Sequence, residues 1–184
     1  MAATEVQSRS AVVLSKAKEY KATGNALMTQ ENWKGALTQY HFALLQLKSL
    51  SMGQGSMAEF GASVLGYTQS TEEEVAETRT LTIQCKTNMA LVHSKLGNTL
   101  RVIQTCNEAL ELDPDCVKAC YRRACAYMEK SKWRNLEKAA RDLKHAHTLA
   151  PQDKAIVRAM HQVAALRKQA NQKQGSELAG MFDR

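Results

Sequence analysis

The sequence predicts an all-α protein, on three observations. Helix formers (Ala, Leu, Lys, Gln, Glu and Met) dominate the 184 residues. Proline occurs only twice, at Pro114 and Pro151. No window shows the period-two alternation of apolar and polar residues that marks a half-buried strand. With 44% hydrophobic residues the chain can bury a sizeable core.

The elements follow in order. Residues 1–14 are expected to form a flexible N-terminus, with no basic segment leading into a long apolar run. Tyr20 to Leu47, "YKATGNALMTQENWKGALTQYHFALLQL", reads as two amphipathic helices joined by a short polar turn, within a unit over about 15–50. Residues 51–70 carry four of the nine glycines and are expected to be a flexible insertion. Ser70 and Thr71, followed by three glutamates, make a capping-box signal for a long helix from about Glu72 to Leu96, opening a second unit over about 71–114. Pro114 closes that unit and Pro151 closes a third over about 115–151, because proline cannot continue a helix. The segment "DKAIVRAMHQVAALRKQANQK" places Ile156, Ala159, Met160, Val163, Leu166 and Ala170 on one stripe, as a capping helix over about 153–172 should. A C-terminal tail, 175–184, completes the chain, and 15–174 is expected to form a single domain.

Self-comparison reveals a period near 34 residues. "GNALMTQENWKGALTQYHFALLQL" aligns with "NMALVHSKLGNTLRVIQTCNEALELDP" and with "RRACAYMEKSKWRNLEKAARDLKHAHTLAP". The shared anchors are Gly24, Ala36, Tyr40 and Ala43; Ala90, Val102 and Ala109; and Ala124, Ala139 and Ala146. Small residues at these places let helices approach closely. The pattern resembles the tetratricopeptide repeat. That resemblance implies three helix–turn–helix repeats and a C-terminal capping helix, wound as a right-handed superhelix with a concave groove. The third repeat departs from the pattern by extra residues around "EKSKWRN", and the first lacks its closing proline.

In this repeat family the first helix of each unit lines the groove. The alignment then puts Lys21 and Asn25 on the groove face of the first repeat, Asn88 on that of the second, and Lys118 with Arg122 on that of the third. Each of the pairs Lys21/Asn25 and Lys118/Arg122 is four residues apart, hence one turn apart on one helical face. Lysine supplies a point charge, arginine a planar fork and asparagine directed amide donors, a set suited to a carboxylate. The five are similar to the dicarboxylate clamp of tetratricopeptide co-chaperones, which holds the C-terminal carboxylate and last Asp of heat-shock chaperones ending in EEVD. Lys18, Met28, Gln84, Lys95, Tyr121, Cys125 and Met128 are expected to project into the same channel and to tune selectivity, Lys95 toward an acidic residue of the tail and Met28 or Met128 toward an apolar one. The alternative for each of these seven is core or solvent.

Other chemistry is set aside. No GxSxG, phosphate loop, HExxH or triad is present, so the chain is expected to be no enzyme and to need no cofactor. The five cysteines form no CxxC and fit reduced thiols packed as small apolar groups; His145 and His147 lie on different faces of a helix, and no metal site is expected. The formal net charge of +7 predisposes toward acidic partners, yet no aromatic ladder points to nucleic acid and no apolar run is long enough for a membrane. A cytoplasmic monomer is the expectation. The basic last helix also has the make-up of a calmodulin target, but capping the array accounts for it. The ending "SELAGMFDR", the segment "YHFALLQL" and the chain length resemble the small tetratricopeptide repeat protein nine subfamily, and the Met–Phe ending also that of large immunophilins; too few residues precede the repeats for an isomerase domain. The reading is a co-chaperone or adaptor, which could deliver a second client protein; the alternative is a structural or assembly subunit that uses the repeat surface as a scaffold.

Overall fold

A computed structural model describes residues 9–51, 71–130 and 133–182. Among them are seven helices: α1 (Arg9–Thr29), α2 (Trp33–Ser51), α3 (Glu72–Lys95), α4 (Thr99–Leu112), α5 (Val117–Glu129), α6 (Trp133–Leu149) and α7 (Lys154–Phe182). The expected insertion at 51–70 lies outside the described residues, apart from Ser51.

Helix ends follow local chemistry. Thr71 caps α3 in a reciprocal box: Glu74 N–H donates to Thr71 Oγ1 at 3.2 Å, and Thr71 N–H donates to Glu74 Oε2 at 3.0 Å. Asn32 caps α2 by accepting from Gly35 N–H at 3.0 Å, and Asp153 caps α7 by accepting from Ala155 N–H at 2.8 Å. The α3–α4 turn closes as a Schellman motif, with Asn98 N–H on His93 O and Gly97 N–H on Ser94 O. Gly97 takes the left-handed conformation this requires, at φ +70. The α1–α2 turn repeats the motif, Asn32 N–H on Leu27 O and Glu31 N–H on Met28 O, but there the left-handed residue is Glu31, at φ 58.

Two boundaries differ from expectation. Helix α1 begins at Arg9, inside the segment 1–14 expected to be flexible, because buried Ser10 is anchored by donating to Glu74 Oε1 at 2.6 Å. Helix α7 runs on to Phe182 instead of ending near 172 with a tail from 175, since Gly175 and Gly180 each cost a helix only about 1 kcal/mol and no proline intervenes.

Where the sequence suggested a single domain over 15–174, the chain divides into two compact units between Val92 and His93, in the last turns of α3. In the first, α2 runs back antiparallel along α1. Tyr40 covers Gly24, Phe42 meets Tyr20 at a ring-centroid distance of 5.6 Å, and Leu47 packs with Leu14 and Ala17. Leu81 of α3 joins that last cluster. Helix α3 lies parallel to α1, since their contacts advance together from Ser10–Glu74 through Lys18–Glu77 and Lys21–Gln84 to Asn25–Asn88.

The second unit packs α4 to α7 each on the next, with α5 also touching α7. Its core joins Cys120, Ala124 and Met128 of α5, Leu136, Ala139, Leu143 and Ala146 of α6, and Ile156, Ala159 and Val163 of α7. Met160, Leu166 and Ala170, the rest of the predicted α7 stripe, pack against it. Every repeat anchor picked from the sequence is buried, Tyr40 and all seven of the alanines with no exposure at all. Arg123 ties three helices together: its guanidinium makes two 2.7 Å bonds to the Asp142 carboxylate of α6 and one of 2.8 Å to Asn107 of α4.

Candidate peptide-binding site

In the first unit, α1 and α3 share a row of polar side chains. Lys18 pairs with Glu77 at 2.7 Å, near enough to solvent for the pair to contribute little stability. One turn on, the Lys21 ammonium donates to Gln84 Oε1. A further turn on, Asn88 Nδ2 donates to Asn25 Oδ1 at 3.0 Å. That oxygen also accepts from the hydroxyl of fully buried Tyr40 at 2.7 Å, and the same hydroxyl lies 2.9 Å from Met28 Sδ.

The predicted groove residues Lys21, Asn25 and Asn88 therefore stand together, linked through Gln84 and Tyr40. Lys21 and Asn88 are half-buried, while Asn25 and Gln84 are exposed. Beneath them, burial pushes the Cys85 thiol up to about 11, against the opposing pull of Lys21.

In the second unit, Lys118 and Arg122 occupy one face of α5, Lys118 exposed and Arg122 half-buried. Burial pushes the neighbouring Cys106 thiol up to about 12, although Arg122 and Arg123 both favour its thiolate. Lys95 is exposed at the end of α3. Tyr121 and Cys125 are only partly available: both pack against the core cluster, and burial raises the pKa of each. Met128 was expected in the channel and is instead buried, 6% exposed, in the core. It lies ten residues after Lys118, and that spacing turns it toward α6 and α7.

Two contributors escaped sequence reasoning. Tyr40 was read only as a packing anchor. A tyrosine at a fully buried position signals a hydroxyl that needs a partner, and that clue was in the sequence. The Arg123–Asp142–Asn107 set gave no such signal, since its members are 16 and 19 residues apart on three helices.

Among the described residues no three His, Cys, Asp or Glu side chains converge as a metal site, and no helix is long and apolar enough to cross a membrane.

No family profile matches the chain. Tetratricopeptide repeat protein 9C of Xenopus tropicalis is 28% identical over 172 residues, covering 92% of this chain and 93% of that protein. FK506-binding protein 59 of Drosophila melanogaster is 29% identical over 169 residues, and peptidyl-prolyl cis-trans isomerase D of Kluyveromyces lactis is 29% identical over 175. The chain spans 33% of the former and 42% of the latter.

Among solved structures, the C-terminal TPR-containing domain of a Plasmodium falciparum FK506-binding protein superposes with a TM-score of 0.71 at 19% identity, covering 90% of this chain and 97% of that one. The first TPR domain of Spaghetti (RPAP3), solved bound to the HSP90 peptide SRMEEVD, superposes with a TM-score of 0.60 at 18% identity, covering 87% and 96%. These likenesses establish the fold.

Proposed function

We propose that the chain is a tetratricopeptide repeat protein that serves as a non-catalytic co-chaperone or adaptor in the cytoplasm. Its ligand is the acidic, free C-terminal end of a heat-shock chaperone of the EEVD type. One observation carries the reading: Lys21, Asn25 and Asn88 stand in a single row of donors on α1 and α3. Lys118 and Arg122, at the matching places on α5, supply the remaining charges. The solved RPAP3 complex supports the ligand class, since its fold holds a peptide ending in EEVD.

Chemically, two carboxylates at a chain end require cations and N–H groups and few competing acceptors. A charge-assisted hydrogen bond contributes roughly 1.5–3 kcal/mol, so three or four of them hold a short flexible tail at about micromolar affinity after its ordering cost. The first unit has equal numbers of acidic and basic residues, so the whole formal net charge of +7 resides in residues 93–184, with Lys118 and Arg122.

The test is a titration of the peptide MEEVD, as free acid and as C-terminal amide, into wild type, Lys118→Ala and Arg122→Ala. The expected result is a loss of about 10–100-fold for each substitution and for amidation. Equal affinity in every arm refutes the proposal.

A scaffold role has one observation in its favour. Phe42 and Leu45 on α2 are 45% and 62% exposed, and Tyr20 lies beside Phe42, leaving apolar surface off the α1–α3 row. A Leu45→Glu variant that keeps peptide affinity but loses a stable complex in cells would favour this reading.

A further inference from the structure

We infer that Tyr40 is a positioning residue for the ligand: its buried hydroxyl fixes which way the Asn25 side-chain amide faces. This rests on the carboxylate reading above. An asparagine amide carries an oxygen that accepts and a nitrogen that donates, and the two ends are nearly the same shape. An amide exposed at a helix surface, as Asn25 is, has little steric reason to prefer either orientation. Only an amide that turns its N–H groups outward attracts a carboxylate; one that turns its oxygen outward repels it.

Two donors settle that choice. The Tyr40 hydroxyl at 2.7 Å and Asn88 Nδ2 at 3.0 Å both point at Asn25 Oδ1. Together they take up the two lone pairs of that oxygen. Rotating the amide would set Asn25 Nδ2 against Asn88 Nδ2, donor against donor. Rotation would also make the Tyr40 hydroxyl the acceptor and turn its proton toward Met28 Sδ, 2.9 Å away, a thioether and a weaker acceptor than an amide oxygen. The consequence is a one-way chain, Tyr40 to Asn25 and Asn88 to Asn25. It leaves both N–H bonds of Asn25 and one of Asn88 available for an anion.

Gly24 makes the chain possible. A Cβ there would sit 2.8 Å from Tyr40 Cε1, so only glycine lets the ring lie against the α1 backbone and bring its hydroxyl beneath the neighbouring Asn25.

The experiment titrates MEEVD, as free acid and as amide, into wild type, Tyr40→Phe and Asn25→Asp, with the melting temperature of each recorded. Tyr40→Phe is expected to bind the free acid about 5–10-fold more weakly than wild type, with the amide unaffected. Asn25→Asp keeps an oxygen for Tyr40 and Asn88 but turns a negative charge outward; it is expected to melt close to wild type and to lose binding of the free acid at least 100-fold. A purely structural role for Tyr40 would weaken both peptides alike. If wild type prefers the free acid and Tyr40→Phe binds it within twofold of wild type, the positioning role is overturned while the carboxylate reading stands. If wild type does not distinguish acid from amide, the carboxylate reading itself fails. Should Tyr40→Phe not fold, the Asn25 Nδ2H2 protons of free wild type decide: no strong NOE from them to the Tyr40 Hε protons is expected, and a strong one, which would place the amide nitrogen at the ring, overturns the proposal.

Discussion

Substituting Gly24 by alanine tests the close approach of Tyr40 to α1. The added Cβ would lie 2.8, 3.0 and 3.1 Å from Cε1, Cδ1 and Cζ of Tyr40, a ring with no solvent exposure and hence no open side to move toward. Overpacking of this kind costs about 1–3 kcal/mol, while alanine in a helix gains about 0.8–1 kcal/mol over glycine. The net expectation is a destabilisation of up to about 2 kcal/mol, or as much as roughly 4–8 °C in melting temperature for a chain of this size. The decisive arm is the same change in a Tyr40→Leu background. With the ring gone, the propensity term stands alone, and Gly24→Ala should then stabilise by about 0.5–1 kcal/mol. The assay is urea denaturation of the four proteins, followed by circular dichroism. If Gly24→Ala destabilises equally in both backgrounds, the ring contact is not the cause and the reasoning is refuted.

The two left-handed turn residues form a second test. Gly97→Ala meets nothing within 4 Å, so its cost of about 1 kcal/mol is purely one of backbone conformation; Glu31→Gly relieves the same strain and should stabilise by about 0.5 kcal/mol, both read from denaturation midpoints. Thiol chemistry gives a third. Cys85 and Cys106 are buried and held protonated, pushed up to about 11 and about 12 from an ordinary 9.0, so at pH 8 alkylation should reach half-buried Cys116 well before either of them, as peptide mapping of partly labelled protein would show. Because the folded state keeps protons that the unfolded chain releases, their stabilising effect is complete below about pH 9 and declines as pH rises toward 11–12; Cys106→Ala should flatten part of that decline in denaturation curves taken from pH 8 to 11.

The fold was legible because it is built from short-range and repeating signals. Thr71 with Glu74, Gly97 after a helix and the small residues at a fixed period each act within one turn or one helix pair. The stripe from Ile156 to Ala170 was equally direct, since a capping helix buries a single face. Helix extent was less readable: α1 is held to Arg9 by a bond from Ser10 to a residue 64 positions on, which no local pattern encodes.

For the candidate site, repeat alignment picked out Lys21, Asn25 and Asn88, which do come together in the first unit. It could not separate outward from inward positions on α5, where spacings near ten residues drift round the helix, and so Met128 was misassigned. Nor could it foresee the part that Arg123 plays. Arg123 is bound to Asp142 and Asn107, a fact of tertiary packing alone.

The uneven division of charge between the two units has a kinetic consequence. An acidic chain end diffusing toward this protein is attracted by residues 93–184, while the balanced first unit exerts little pull at a distance. If the proposed ligand is correct, its association should slow as salt shortens the reach of that field. The asparagine amides of the first unit carry no net charge and act only at contact. On the proposed reading, their contribution belongs to how long the ligand stays, which salt hardly alters.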